Sequence, residues 1–236
     1  MATQIALTSD LAGSPAPLRR MTEGFLRSIR LFENLKDQEL HALTSAGISY
    51  RAERGQVLYW ESEPLNELFL VRSGSVKLVR NSEDGKEFIL QLVAAGECFG
   101  AMARPLVARS TAQTLEGSLI QVIPLVALRR AAEANPSFAL DLLEVSEKQR
   151  LSLQTNASRL AFDSVPRRLA YILLDIADRR HGTLGVPLNQ TELANLIGSS
   201  RETVCSTLSR FSREGMLAMV KGRIHVRDRK HLASVR

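Results

Sequence analysis

Cysteine is almost absent: Cys98 and Cys205 are the only two in 236 residues. That is too few for a disulfide framework and lacks the spacing of a zinc or iron–sulfur site, so reduced thiols are expected. Long apolar runs are missing as well. The charge-free stretch Gly117–Leu128 has 12 residues and is interrupted by Pro124, short of the roughly 20 needed to cross a bilayer. Met1–Ala16 carries Asp10 as its only charged side chain, so it has no basic region of the kind that opens a secretory signal. These absences predict a cytoplasmic protein with no membrane partner. The four histidines, at 41, 181, 225 and 231, fall on no catalytic motif, and no positioned base or nucleophile accompanies them, which argues against an enzyme.

What remains is a globular balance, with 44% hydrophobic and 24% charged residues, at a length that suggests two domains. Charge separates along the chain. Residues 164–236 hold 13 Lys and Arg against 6 Asp and Glu, a net of +7, while residues 1–163 hold 18 against 19, a net of −1. A near-neutral body joined to a basic end is the arrangement of a nucleic-acid-binding domain, although a solvated basic surface has the same composition.

Between Gly47 and Pro124, short apolar or alternating runs are separated by glycine turns. Ile48–Tyr50, Val57–Trp60, Leu68–Val71, Val76–Val79, Phe88–Val93 and Leu119–Ile123 read as strands, with Arg54-Gly55, Ser73-Gly74, Asp84-Gly85 and Ala95-Gly96 between them. Many short strands at such spacing predict a small barrel or roll, preceded by a helical lead-in, Leu31–Ala46. From Pro136 to Pro166 no glycine or further proline intervenes, and one long helix is predicted over about Ser137–Phe162. A period of 3.5 can be laid through Leu142, Ser146, Gln149, Leu153, Asn156 and Leu160, the seam of a two-stranded coiled coil with polar positions that fix register or face a ligand. Packing on the chain's own barrel is the alternative. Ser164-Val165-Pro166 marks a restart, and a helix is predicted over about Val165–Arg180.

The most specific signal follows. Asn189 and Glu192 have the spacing of a capping box ahead of Leu193, Ala194, Leu196 and Ile197, and Gly198 stops that helix. Ser199 and Ser200 can cap a second helix, about Arg201–Glu214, with Val204, Leu208 and Phe211 as its inner stripe. Two short helices about a tight glycine turn form a helix-turn-helix, whose second helix lays its first side chains along the major groove. Met216–Val220, Lys221-Gly222 and Arg223–Val226 read as a two-stranded wing with a basic turn.

The run Ile197-Gly198-Ser199-Ser200-Arg201-Glu202-Thr203-Val204, with Leu208, Glu214-Gly215-Met216-Leu217 and Lys221-Gly222, resembles the DNA-binding domain of the cyclic-AMP receptor protein/FNR superfamily of bacterial transcription regulators. The resemblance covers nearly the whole chain. It implies an α+β fold: a β-roll sensor domain over 1–136, a dimerisation helix over 137–163 and a winged helix-turn-helix over 164–236. It also implies a homodimer on palindromic double-stranded DNA, with RNA polymerase as a further partner. Arg201 and Glu202 match the family's base-reading pair, and their chemistry agrees, since an Arg fork suits guanine O6 and N7 and a carboxylate accepts from cytosine N4. Glu202 could instead close a capping box with Ser199. Cys205 and Ser206 complete the reading face, Ser206 departing from the Arg found in many members. Thr191, Ser199, Ser200, Lys221 and Arg223 are expected at phosphates.

The resemblance leaves the signal open. Family members that bind a cyclic nucleotide hold it with a Gly-Glu pair, an Arg-Ser pair and polar groups on the long helix. Here Arg109-Ser110 match, but Gly100-Ala101 lacks the carboxylate, and Leu153-Gln154 alter the helix positions. No cysteine precedes Cys98, against an FNR-type cluster. His41, Cys98 and Met102 are the candidates for a haem iron, with surface and core roles as alternatives. Cys205, one turn from Arg201, is a candidate redox thiol, its oxidation lowering DNA affinity.

Overall fold

The computed structural model describes residues 23–179, 188–220 and 223–235. Its helices and strands group into two compact units, one of residues 1–77 with 92–150, the other of residues 78–91 with 151–236. This grouping by compactness differs from division in chain order, because residues 78–91 pack with the C-terminal part.

In the first unit, helical residues 23–27 are followed by a 3-10 turn, Arg30–Phe32, and helix α1, Asp37–Ala46. The α1 N-terminus is held by Glu39, whose carboxylate accepts the Lys36 N–H at 2.9 Å. The strands follow as β1 (Ile48–Ala52), β2 (Val57–Tyr59), β3 (Pro64–Leu65), β4 (Glu67–Ser73), β5 (Ser75–Asn81), β6 (Glu87–Ala94), β7 (Cys98–Gly100), β8 (Leu106–Val107), β9 (Thr111–Thr114) and β10 (Ser118–Pro124). They form four-stranded sheets of order β1-β10-β4-β7 and β2-β9-β5-β6, with β3 and β8 paired separately. Every predicted run is a strand; β3, β7, β8 and β9 are additional, as is helix α2, Leu125–Ala134. At the β5–β6 turn Gly85 has φ +76°, a conformation glycine reaches without a Cβ clash.

Tyr59, Phe69 and Phe99 pack at ring separations of 5.2–6.1 Å. A second cluster joins Leu40, Leu43, Leu68, Ile123, Leu128 and Phe138 from α1, β4, β10, α2 and the long helix α3.

Helix α3 spans Pro136–Phe162. The first half of its predicted seam makes contacts within the chain. Leu142 is buried in the first unit's core, the Ser146 hydroxyl donates to the Met102 sulfur at 3.4 Å, and the Gln149 amide donates to the Cys98 carbonyl at 2.7 Å. Leu153, Asn156 and Leu160 line a pocket inside the second unit. Leu142, Ser146 and Gln149 of this face thus pack within the chain, while Leu153 and Leu160 stay exposed. Leu140, Leu143, Leu151 and Phe162 are exposed as well. At about 100° per residue they form a separate stripe, opposed to the one through Phe138, Leu142 and Gln149.

In the second unit α4 (Val165–Arg179), α5 (Gln190–Ile197), α6 (Arg201–Arg213), the hairpin β11 (Leu217–Val220) with β12 (Arg223–Val226), and α7 (Arg229–Ala233) enclose a core. Leu169, Leu173, Leu193, Val204, Phe211 and Leu232 are each fully buried in it. Among the described residues no helix is long and apolar enough to cross a membrane.

Candidate nucleic-acid interface

Helix α5 begins at a reciprocal capping box: Asn189 Oδ1 accepts the Glu192 N–H at 2.9 Å, and Glu192 Oε2 accepts the Asn189 N–H at 2.7 Å. It ends at Gly198, in the left-handed region at φ 62° and ψ 53°. Two residues later Ser200 caps α6, its Oγ accepting the Thr203 N–H at 3.1 Å. These local bonds fix the angle and start of the second helix. The box considered between Ser199 and Glu202 is absent, because the cap is Ser200 and the third helical residue is therefore Thr203.

Val204, Thr207 and Phe211 anchor α6 in the core. Thr207 replaces the expected Leu208 on this face, which is only half-buried. Burying Thr207 is tolerated because its hydroxyl donates to the Thr203 carbonyl at 2.7 Å.

The opposite face exposes Arg201, Glu202, Cys205, Ser206, Ser209 and Arg210. Glu202 is held below the usual carboxylate value by its own backbone N–H first and by the Ser200 hydroxyl second, so it stays an acceptor at neutral pH. Ser206 turns its hydroxyl onto the Thr203 carbonyl at 3.0 Å. Thr191, Arg201 and Cys205 meet along one groove of about 920 Å³, which continues to Met219 and Ile224 of the wing. Of the expected phosphate contacts, Thr191, Ser200 and Arg223 are exposed and Ser199 is half-buried, while Lys221 lies outside the described residues. The Ser200 oxygen is already engaged as the cap.

The expected sensor residues divide between the units. Gly100, Arg109 and Ser110 belong to the first, Leu153 and Gln154 to the second. Arg109 is exposed and Ser110 buried, its hydroxyl hydrogen-bonded to the Tyr59 phenol. Ala101, where the family's carboxylate would stand, is fully buried. His41 is bonded to Glu23 at 2.9 Å on the surface. Burial, with a smaller contribution from the Glu97 charge, pushes the Cys98 thiol to about 12, the opposite of what a thiolate ligand needs.

Residues 50–135 match the cyclic nucleotide-binding domain, and residues 167–235 match the Crp-like helix-turn-helix domain. The chain is 30% identical over 211 residues to the CRP-like cAMP-activated global transcriptional regulator of Mycobacterium tuberculosis, covering 86% of this chain and 94% of that one. It belongs to the CRP/FNR superfamily of transcription regulators. A second CRP/FNR relative, the cyclic AMP receptor protein of Thermus thermophilus, is 28% identical over 204 residues, covering 84% of this chain and 92% of that protein. The structure of FixK2 from Bradyrhizobium japonicum superposes with a TM-score of 0.73 at 22% identity, over 79% of this chain and 95% of that one. The matched Crp-like helix-turn-helix contains α5 and α6 and is the DNA-binding domain of a transcription regulator, and a cyclic nucleotide-binding domain stands ahead of it in the chain. Arg201 and Glu202 stand where the sequence places them, exposed in the first turn of α6. The engagement of Ser110 with Tyr59 was not legible in the sequence, because it joins residues 51 positions apart.

Proposed function

We propose that this protein is a cytoplasmic homodimer that reads an imperfect palindrome through paired α6 helices and acts on RNA polymerase at the promoter, its work being binding and not catalysis. One observation carries the reading: Arg201 and Glu202 are exposed at the capped start of a helix whose other face is locked by Val204, Thr207 and Phe211. Arg201 reads guanine and Glu202 reads cytosine, with Cys205 and Ser206 beside them. Thr191, Ser199, Ser200, Lys221 and Arg223 meet phosphates. The dimer seam is the exposed stripe of α3 through Leu140, Leu143 and Leu151. Along it, each chain can bury apolar side chains that its own units leave in water.

Selection of bound duplexes from a randomised pool, with reduced ligand-free protein, tests this. A two-fold motif with G·C pairs in each half-site is the expected result; recovery without any motif overturns base reading by the ligand-free protein. The same selection repeated with cyclic AMP tests a nucleotide-dependent regulator, the alternative that Arg109-Ser110 favour and Ala101 disfavours. Control by thiol oxidation is a second reading, supported by the exposure of Cys205 in the groove beside Arg201.

A further inference from the structure

Helix α6 changes character along its length. Arg201 and Glu202 open it and Arg210 and Arg213 close it, but residues 203–209 carry no charge. The exposed side chains in that interval are Thr203, Cys205, Ser206 and Ser209, all of them short. Short side chains do not reach far, so whatever they read must lie against the helix itself. In residues 164–236, of net charge +7, this uncharged interval sits where the face of α6 is most open.

The hydroxyls of this interval are already committed as donors. Ser206 Oγ donates to the Thr203 carbonyl at 3.0 Å and Ser209 Oγ to the Cys205 carbonyl at 2.9 Å, while Thr203 Oγ1 shares a hydrogen bond with Ser200 Oγ at 3.0 Å. A serine hydroxyl has one hydrogen and two lone pairs, so Ser206 and Ser209 face outward as acceptors. Cys205 is the exposed residue among them without a hydroxyl, and a free thiol behaves as a small apolar surface. Leu208, Met219 and Ile224 line the same groove as Cys205, which adds to its apolar surroundings.

The second turn of α6 thus offers an apolar contact beside a hydrogen-bond acceptor. In the major groove a T·A pair presents a thymine methyl group and an adenine N6 amino donor. A G·C pair presents the cytosine N4 donor but no methyl, and it sets guanine O6 and N7, both acceptors, against a serine oxygen. T·A is the pair that satisfies both groups. Cys205 and Ser206 lie about 100° apart around the helix axis, on either side of Glu202 and away from the buried Val204, Thr207 and Phe211. One can therefore meet the thymine and the other its adenine. Cys205 is four residues beyond Arg201, about 6 Å along the axis, which is less than two base-pair steps of about 3.4 Å.

We propose that Cys205 and Ser206 together specify a T·A pair within about two base pairs of the guanine read by Arg201. The thymine methyl packs on the Cys205 thiol, and the adenine N6 amino group donates to Ser206 Oγ. This rests on the base-reading role proposed for α6 and extends it to a second kind of pair, read without a charged group. Thymine and uracil differ by that methyl alone, so the Cys205 contact distinguishes them. Side chains that were small only to admit the helix into the groove would not.

The test is competition binding of the full-length, reduced protein to the duplex recovered by selection. Each thymine of the half-site is replaced in turn by deoxyuridine, which removes only the methyl group, and each adenine by deoxynebularine, which removes only the N6 amino group. One T·A pair near the guanine that Arg201 reads is expected to respond to both. Binding should weaken about fourfold with deoxyuridine, the worth of one buried carbon, and roughly fivefold with deoxynebularine, the worth of one hydrogen bond. In Cys205→Ser the thymine-to-uracil ratio should fall to about one, while Cys205→Ala, which keeps an apolar surface, should retain part of it. Ser206→Ala should remove the response to deoxynebularine alone. Each readout is a ratio within one protein, so a loss of folded fraction or of overall affinity cancels. Equal binding of thymine and uracil across the half-site, or a ratio unchanged in Cys205→Ser, overturns the role of Cys205. A response to deoxynebularine unchanged in Ser206→Ala overturns that of Ser206. A selected motif with G·C pairs but no T·A pair in that interval overturns this proposal alone, whereas recovery without any motif overturns the base reading on which it stands.

Discussion

The side-chain amide of Gln149 donates to the backbone carbonyl of Cys98 at 2.7 Å, and this bond decides which side of α3 faces away from its own body. A polar residue at a seam position would ordinarily serve a partner helix; here it ties the helix to β7.

The exposed stripe should therefore control association. Leu143→Asp in both chains of the proposed homodimer should remove two leucine side chains from its seam at about 2 kcal/mol each, or roughly a thousandfold in the dimer Kd. Sedimentation velocity at graded concentration measures it. Leu142→Ala should instead lower the folding stability of the first unit by about 2–5 kcal/mol and leave the dimer Kd nearly unchanged. The reverse pattern would restore the Leu142–Leu160 seam.

Arg201→Ala should cost on the order of 1–3 kcal/mol at a G·C pair and relax preference there, while Arg223→Ala should weaken every sequence about equally. Competition binding with single-base variants of the selected site separates the two. A uniform loss for Arg201→Ala would assign it to the phosphates.

Thiol chemistry should be confined to one residue. Cys98 is buried with its thiol at about 12, whereas Cys205 is exposed. In native protein a thiol reagent should titrate one group, and in denaturant two. If α6 reads DNA, oxidation or alkylation of wild-type protein should lower DNA affinity, and Cys205→Ser should be resistant. Equal sensitivity of both proteins would exclude Cys205 as the switch.

Acid should loosen the N-terminus of α1. Glu39 is held below its ordinary value of 4.5 first by the Lys36 N–H and next by the Asn135 amide. Its stabilising contribution is complete above pH 4.5 and is lost as pH falls through the lower, folded value. Urea midpoints at about pH 6 and about pH 4 should therefore fall less in Glu39→Gln than in wild type. Glu23, Glu144, Glu147 and Glu202 shift in the same direction, so the variant should keep part of the slope.

The helix-turn-helix was legible because its determinants are local: Asn189, Glu192, Gly198 and Ser200 act within four residues of themselves. The strand runs were legible for the same reason, through glycine turns and alternation. Helix α2 escaped notice because it begins directly after Pro124 and no side chain caps it. What the α3 seam packs against was not legible, because a period of 3.5 reports a buried face without naming its partner. The pocket lined by Leu153, Asn156 and Leu160 was invisible in sequence, since it also joins Phe88, Arg159 and Ile197, which only the folded chain brings together.

The assignment of residues 78–91 to the C-terminal unit bears on whether that unit can be transplanted. A fragment cut at residue 151 would carry the entire helix-turn-helix yet leave behind Phe88 and Glu87. Leu160 would lose an apolar neighbour, and the Asn195 amide would lose the carboxylate it reaches at 3.2 Å. Chimeras that exchange C-terminal heads between relatives should therefore carry the β5–β6 tip with them, because that hairpin and the head form one heritable block despite the 59 residues of chain between them.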